Sequence, residues 1–151
     1  MAQSLSKLYV HMIFHVKNSS CKIRKDDSKN LYAYMASIIK KNHSIPILIN
    51  GVENHVHILC VMSKNIALSK LIEDVKRNSS RWIKTKDSYY RNFAWQGGYS
   101  GFSISPSLCD KTKTYIEKQE EHHKKMSFKE EYVLFLREYD IDFNEEYIWS
   151  D

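Results

Sequence analysis

Glycine and proline are scarce: four and two among 151 residues. No Pro/Gly-rich linker divides the chain, and three of the glycines cluster at Gly97, Gly98 and Gly101. Internal repeats and low-complexity tracts are absent, so residues 1–151 read as one domain, with a core over about 5–126 and a C-terminal helix and tail over 127–151. No stretch approaches the ~20 apolar residues that a membrane helix needs. The segment Met1–Lys7 runs into a strand-like stretch without the apolar block of a signal peptide. Three widely spaced cysteines, Cys21, Cys60 and Cys109, contain no Cys-x-x-Cys pair. That argues against a disulfide scaffold or a cysteine zinc site and fits a reducing cytoplasm.

What is present is a core-forming composition and an uneven charge. Hydrophobic residues make up 42% of the chain, enough to exclude disorder. The net charge of +5 divides sharply. Residues 1–126 hold 21 Lys/Arg against 10 Asp/Glu, whereas 127–151 hold 2 against 8. A basic body attracts polyanions. By charge alone, a solvated lysine-rich helix face is the better account of it.

Alternation over Leu8–Val16 predicts a strand with Leu8, Val10, Met12, Phe14 and Val16 on one face and Tyr9, His11, Ile13 and His15 on the other. A helix to about Lys41 follows, capped by Asp26 or Asp27, with Leu31, Tyr34, Met35, Ile38 and Ile39 as its apolar stripe. Ile45–Val52 and His55–Met62 read as a hairpin. Ile66 to about Thr85 carries Leu68, Leu71, Ile72, Val75, Trp82 and Ile83 at helical spacing. Phe93–Trp95 and Gly101–Ser105 flank a glycine-rich turn and predict the fourth strand. Ser105-Pro106 starts a third helix, with proline in the first turn, expected to run unbroken to near Lys125. Ser127-Phe128-Lys129-Glu130 is a capping box opening a last helix to about Tyr139. The order βαββαβ predicts an α+β, ferredoxin-like domain. Its antiparallel sheet of four to five strands carries helices on one face, and the third and last helices are additions to that core.

Three clusters carry chemistry. His55-Val56-His57 lies in an apolar strand, so both imidazoles point to the same side. Tyr115 and Gln119 are one helical turn apart, with His122 on the same face and His123 adjacent. Two imidazoles and an amide oxygen are suited to hold a divalent cation beside a tyrosine hydroxyl, an apparatus for attack on a phosphodiester. The run Phe93 to Ser105 mixes glycines with aromatics, among them Trp95 and Tyr99, that could stack on unpaired bases. Each cluster alone also has a plain structural reading: a hydrogen-bonded strand histidine, a packed helical tyrosine, a bulged strand with buried aromatics.

Together, in this order and spacing, the three resemble the single-tyrosine HUH transposases of small bacterial insertion sequences and their palindrome-associated domesticated relatives. His55-Val56-His57 matches the histidine-hydrophobe-histidine motif. Tyr115-Ile116-x-x-Gln119-x-x-His122-His123 matches the tyrosine helix. Trp95-Gln96-Gly97-Gly98-Tyr99 through Phe102-Ser103-Ile104-Ser105 matches the run before it. The resemblance covers roughly 5–140. One departure is Asn54, where many relatives have aspartate; Glu53 offers a carboxylate nearby.

The resemblance implies a metal-dependent DNA strand transferase that cleaves and rejoins single-stranded DNA at hairpin-bearing ends through a 5′-phosphotyrosine. Mg²⁺ or Mn²⁺ would be held by His55, His57 and Gln119, and Tyr115 would be the nucleophile. His122 or His123 would serve as proton or phosphate contacts. Lys76, Arg77, Arg81 and Lys84 are expected to hold phosphates, with Trp95 and Tyr99 as stacking platforms. A homodimer at the bacterial nucleoid, with no membrane partner, is the expected setting. The alternatives are a cleavage-dead domesticated hairpin-binding protein for single-stranded DNA or RNA, or a replication initiator or relaxase of the wider HUH class. His-x-His-x-His hydrolases fit poorly because Leu59 stands where their third histidine belongs. Phosphodiesterases with two His-x-Thr motifs fail for want of the threonine. An RNA-recognition domain lacks its aromatic run on the third strand.

Overall fold

Alternation along the first strand decides how the molecule is layered. The computed structural model describes all residues, Met1–Asp151. It contains β1 (Leu8–His15), α1 (Lys25–Lys41), β2 (Ile45–Val52), β3 (His55–Met62), α2 (Leu68–Lys84), β4 (Ser100–Ile104), α3 (Cys109–Glu117), α4 (Gln119–His122), α5 (Phe128–Glu138) and α6 (Glu145–Trp149). The four strands form an antiparallel sheet in the order β2-β3-β1-β4. This is the expected α+β arrangement.

One face of the sheet presents Met12, Phe14, Val56, Ile58 and Cys60 to α1 and α2, which contribute Leu31, Met35, Ile38, Ile39, Leu71, Ile72, Val75 and Ile83. Each of these large side chains contributes roughly 1.5–3 kcal/mol on full burial. The opposite face presents Ile13 and Phe102, covered by Phe128, Tyr132 and Leu136 of α5. The added helices therefore close the second face of the sheet. His11, His15, His55 and His57 share that face and are all buried. A one-residue slip of either strand would move its two histidines to the α1/α2 side, so the apolar alternation itself fixes the site.

Gly51 permits the β2–β3 turn. A Cβ there would stand 2.2 Å from the His55 carbonyl oxygen and 2.9 Å from Val56 Cα, both backbone atoms with no freedom to yield.

Several local expectations change. Helix α1 begins after Arg24 without a side-chain cap; Asp26 and Asp27 lie in its first turn, where the helix dipole favours them. Asp27 instead accepts a 2.6 Å bond from the Tyr90 hydroxyl. The fourth strand starts only at Ser100, and Trp95 makes a single bridge with Val16. The third helix is broken at Lys118, which has φ −98° and ψ 24°. There the Asn50 side-chain amide on β2 donates to the carbonyls of Ile116 (2.9 Å) and Glu117 (3.3 Å), satisfying the orphan acceptors of the helix end. Ser127 caps α5 as expected, its hydroxyl accepting from Glu130 N–H at 3.2 Å, while the Glu130 carboxylate meets that hydroxyl and not the Ser127 N–H. The acidic tail folds into α6 and turns back, Asp151 accepting from the N–H groups of Asn18 (2.7 Å) and Ser19 (3.1 Å).

Candidate active site

Strand β3 brings His55 and His57 to one side, as alternation requires, and neither has any exposed surface. Their ring centroids are 5.1 Å apart. Each ring is held from behind through Nδ1: His55 by Asn54 Oδ1 at 2.8 Å, His57 by His11 Nε2 at 2.8 Å. Both Nε2 atoms therefore aim at the space between the sheet and the helices above it. Phe128 stacks on His55 with centroids 4.1 Å apart, closing the outer side.

Gln119, the first residue of α4, is fully buried there, and its Oε1 lies 3.1 Å from His55 Nε2 and 3.1 Å from His123 Nε2. The break at Lys118 does not separate Tyr115 from this cluster. The Tyr115 ring lies 6.0 Å from that of His57, and its hydroxyl reaches the same centre. His122 stacks on the Tyr115 ring at 4.5 Å and leaves its Nε2 buried without a partner. The structure thus brings His55, His57, Tyr115, Gln119, His122 and His123 together within one protomer.

At the centre stands a residue that sequence reasoning missed. Glu131 of α5 is 2% exposed. Its Oε1 lies 3.0 Å from His57 Nε2 and 3.3 Å from both His55 Nε2 and His123 Nε2. Its Oε2 accepts from the Tyr115 hydroxyl and, at 3.2 Å, from Gln119 Nε2. The nearby carboxylate is therefore Glu131 and not Glu53, which is exposed. A signal was present: Glu131 interrupts the stripe Phe128, Tyr132, Phe135 at the position three after Phe128, where an apolar residue belongs.

Burial shapes the electrostatics. Desolvation opposes ionisation of Glu131, but hydrogen bonds at His55 and His57, the His57 charge and the Tyr115 hydroxyl outweigh it and hold the carboxyl below its usual range. Desolvation pulls His55 down to about 4 against the raising effect of Glu131, leaving a neutral imidazole near pH 7. Tyr115 is pushed up, first by burial and then by its bond to the Glu131 carboxylate and that group's charge, with Gln119 opposing. The phenol is protonated at rest.

The expected DNA contacts are scattered. Lys76, Arg77, Arg81 and Lys84 all lie on α2, across the sheet from the histidines. The Lys76 ammonium donates to the carbonyls of Gln96 (2.6 Å) and Gly98 (3.0 Å), and burial lowers it to about 8, so it braces the glycine-rich loop. Arg77 pairs with Glu73, while Arg81 and Lys84 are exposed. Trp95 is 7% exposed, wedged between Phe14 and Phe93, with its N–H donating to Ser79 Oγ at 3.0 Å. It is a core residue with no face free for a base. Tyr99 is 39% exposed beside Lys76 and Arg77. Next to the site, a groove of about 740 Å³ opens at His123, lined by Lys25, Tyr32, Asn50, Asn54, Lys124 and Phe128 among others.

The model of the family described as "Transposase IS200 like" matches residues 4–119. The chain belongs to the IS200-like transposase family. Among the solved structures that share the fold are two transposases. One is a candidate transposase from Deinococcus radiodurans R1, with TM-score 0.60 and 18% identity over 79% of this chain and 98% of that one. The other is a REP-associated tyrosine transposase bound to a REP hairpin, with TM-score 0.59 and 12% identity over 82% of this chain and 74% of that one. No curated protein matches the chain. No helix is long and apolar enough to cross a membrane.

Proposed function

We propose that this transposase-family protein cleaves and rejoins single-stranded DNA at hairpin-bearing ends, with Tyr115 as nucleophile. One observation carries the reading: the Tyr115 hydroxyl and the Nε2 atoms of both motif histidines meet on one buried carboxylate inside a single protomer. The solved relative bound to a REP hairpin supports a hairpin substrate.

The donor set fits a divalent cation. Two imidazole nitrogens and an amide oxygen converge with a carboxylate oxygen, and the ligand atoms of His55, His57 and Glu131 lie within 4.8 Å of one another. Mg²⁺ or Mn²⁺ held by His55, His57 and Gln119 would supply positive charge to the scissile phosphate. The Tyr115 oxygen forms a bond to phosphorus while the bond from phosphorus to the 3′-oxygen breaks. The proton lost by the phenol balances the one gained by the released 3′-OH, and the protein is left on a 5′-phosphotyrosine. A second 3′-OH reverses the step and joins a new end, with no nucleotide triphosphate consumed. Glu131, not His122 or His123, is the group the phenolic proton already faces.

The groove beside His123 offers the strand a route to the site, with Lys25 and Lys124 at its wall and Tyr99 exposed elsewhere on the surface. Arg81 and Lys84 remain available for outlying phosphates of a folded hairpin. Strands β2 and β4 each have one unpaired side, which a homodimer would cover. The setting proposed is the bacterial cytoplasm, at the nucleoid.

The test incubates the chain with hairpin-tailed single-stranded DNA and Mn²⁺ and looks for a denaturant-resistant adduct. Wild type should form it, and Tyr115→Phe should not while folding normally. Hairpin binding without an adduct in wild type would leave only a cleavage-dead binding protein.

A further inference from the structure

We propose that Glu131 is a fourth, charged ligand of the cation at His55, His57 and Gln119, and that α5 is thereby part of the catalytic apparatus. The inference rests on the reading of that site given above.

The first argument is the company that Glu131 keeps. Glu131 is buried and no lysine or arginine approaches it; its neighbours are His55, His57, His123, Gln119 and Tyr115. Buried charges persist when they are paired or bind metals.

The second argument is the direction of the rings. Nδ1 of His55 is held from behind by Asn54 Oδ1 at 2.8 Å, which leaves Nε2 aimed at the centre. That Nε2 faces Glu131 Oε1 at 3.3 Å and Gln119 Oε1 at 3.1 Å. His57 repeats the arrangement, with Nδ1 against His11 and Nε2 3.0 Å from the same carboxylate oxygen. The ligand atoms of His55, His57 and Glu131 lie within 4.8 Å of one another, around one point. Two imidazole nitrogens, an amide oxygen and a carboxylate oxygen form a donor set that suits a divalent ion.

The third argument is charge balance. Two imidazoles and an amide bring no negative charge to a doubly charged ion; Glu131 Oε1 brings one. Its other oxygen holds the Tyr115 hydroxyl, so one carboxylate spans the distance from cation to nucleophile.

The experiment titrates Mn²⁺ into the full chain by calorimetry, using wild type, Glu131→Gln, Glu131→Ala and His57→Ala, each checked for fold by circular dichroism. One saturable site is expected in wild type, with Glu131→Gln and Glu131→Ala weakened at least tenfold. If both bind Mn²⁺ within twofold of wild type while His57→Ala loses it, Glu131 is no ligand and the three-residue site stands. If wild type itself shows no saturable site, both this inference and the cation reading fall. Should the variants not fold, wild-type crystals grown with Mn²⁺ decide by anomalous scattering. A Glu131 oxygen at about 2.0–2.2 Å from the ion supports the inference. An ion on the histidines with the carboxylate turned away overturns it.

Discussion

His11 Nε2 stands 2.8 Å from His57 Nδ1, both rings fully buried, one on β1 and the other on β3. The contact fixes which nitrogen of His57 faces the site. Burial, reinforced by the His57 charge and opposed by that of Glu131, holds His11 well below its ordinary range, so it stays neutral. His11 is a positioning residue for His57.

His11→Leu should therefore weaken Mn²⁺ binding by about 10–100-fold, the usual cost of losing a partner behind a metal-binding histidine. Stability should fall by about 1–3 kcal/mol, because a buried ring nitrogen of His57 is left without its hydrogen-bond partner. Calorimetric titration and urea unfolding measure the two effects. Unchanged Mn²⁺ affinity would show that His57 needs no such support.

Trp95 and Tyr99, four residues apart in one loop, should behave oppositely. Trp95→Ala should cost about 3–5 kcal/mol, since it empties the space between Phe14 and Phe93 and strands Ser79. Tyr99→Ala should stay within about 0.5 kcal/mol of wild type, as exposed substitutions do. Only Tyr99→Ala should weaken single-stranded DNA binding while leaving the fold intact, as read by fluorescence anisotropy. A Trp95→Ala protein of normal stability that no longer binds DNA would restore base stacking to Trp95.

Acid should unfold the metal-free protein early. Desolvation, followed by the charges of His55 and Lys76, lowers His15 to about 4, and desolvation first lowers His55 to about 4. Unfolded, both titrate near 6.5. Between those values the unfolded chain binds more protons, so stability falls as pH drops from about 6.5 to about 4. Glu131 acts in the same direction further down: its carboxyl is held low in the fold, and that contribution is lost below about 4.5. The combined loss should be on the order of several kcal/mol. Urea midpoints at pH 7, 5.5 and 4.5 would reveal it, and a flat profile would mean the imidazoles are not desolvated in solution.

Much of this site was legible because a strand has a period of two. That period puts His11 with His15 and His55 with His57; the antiparallel register of β1 and β3, with His15 opposite His55, then joins the two pairs on one face. The three motifs in order identified the family, and the Ser127 capping box marked the helix that bears Glu131. What the chain alone could not show depended on contacts between residues far apart. Glu131 lies 74 residues from His57, and nothing local says that its carboxylate turns inward. The break at Lys118 is set by Asn50 on a distant strand, so helical propensity reads straight through it. Lys76 and Trp95 look like nucleic-acid contacts until the loop after α2 folds over one and the core closes around the other. Periodicity and motif spacing are properties of the sequence; burial and the meeting of remote side chains arise only when the sheet and its two helical layers assemble.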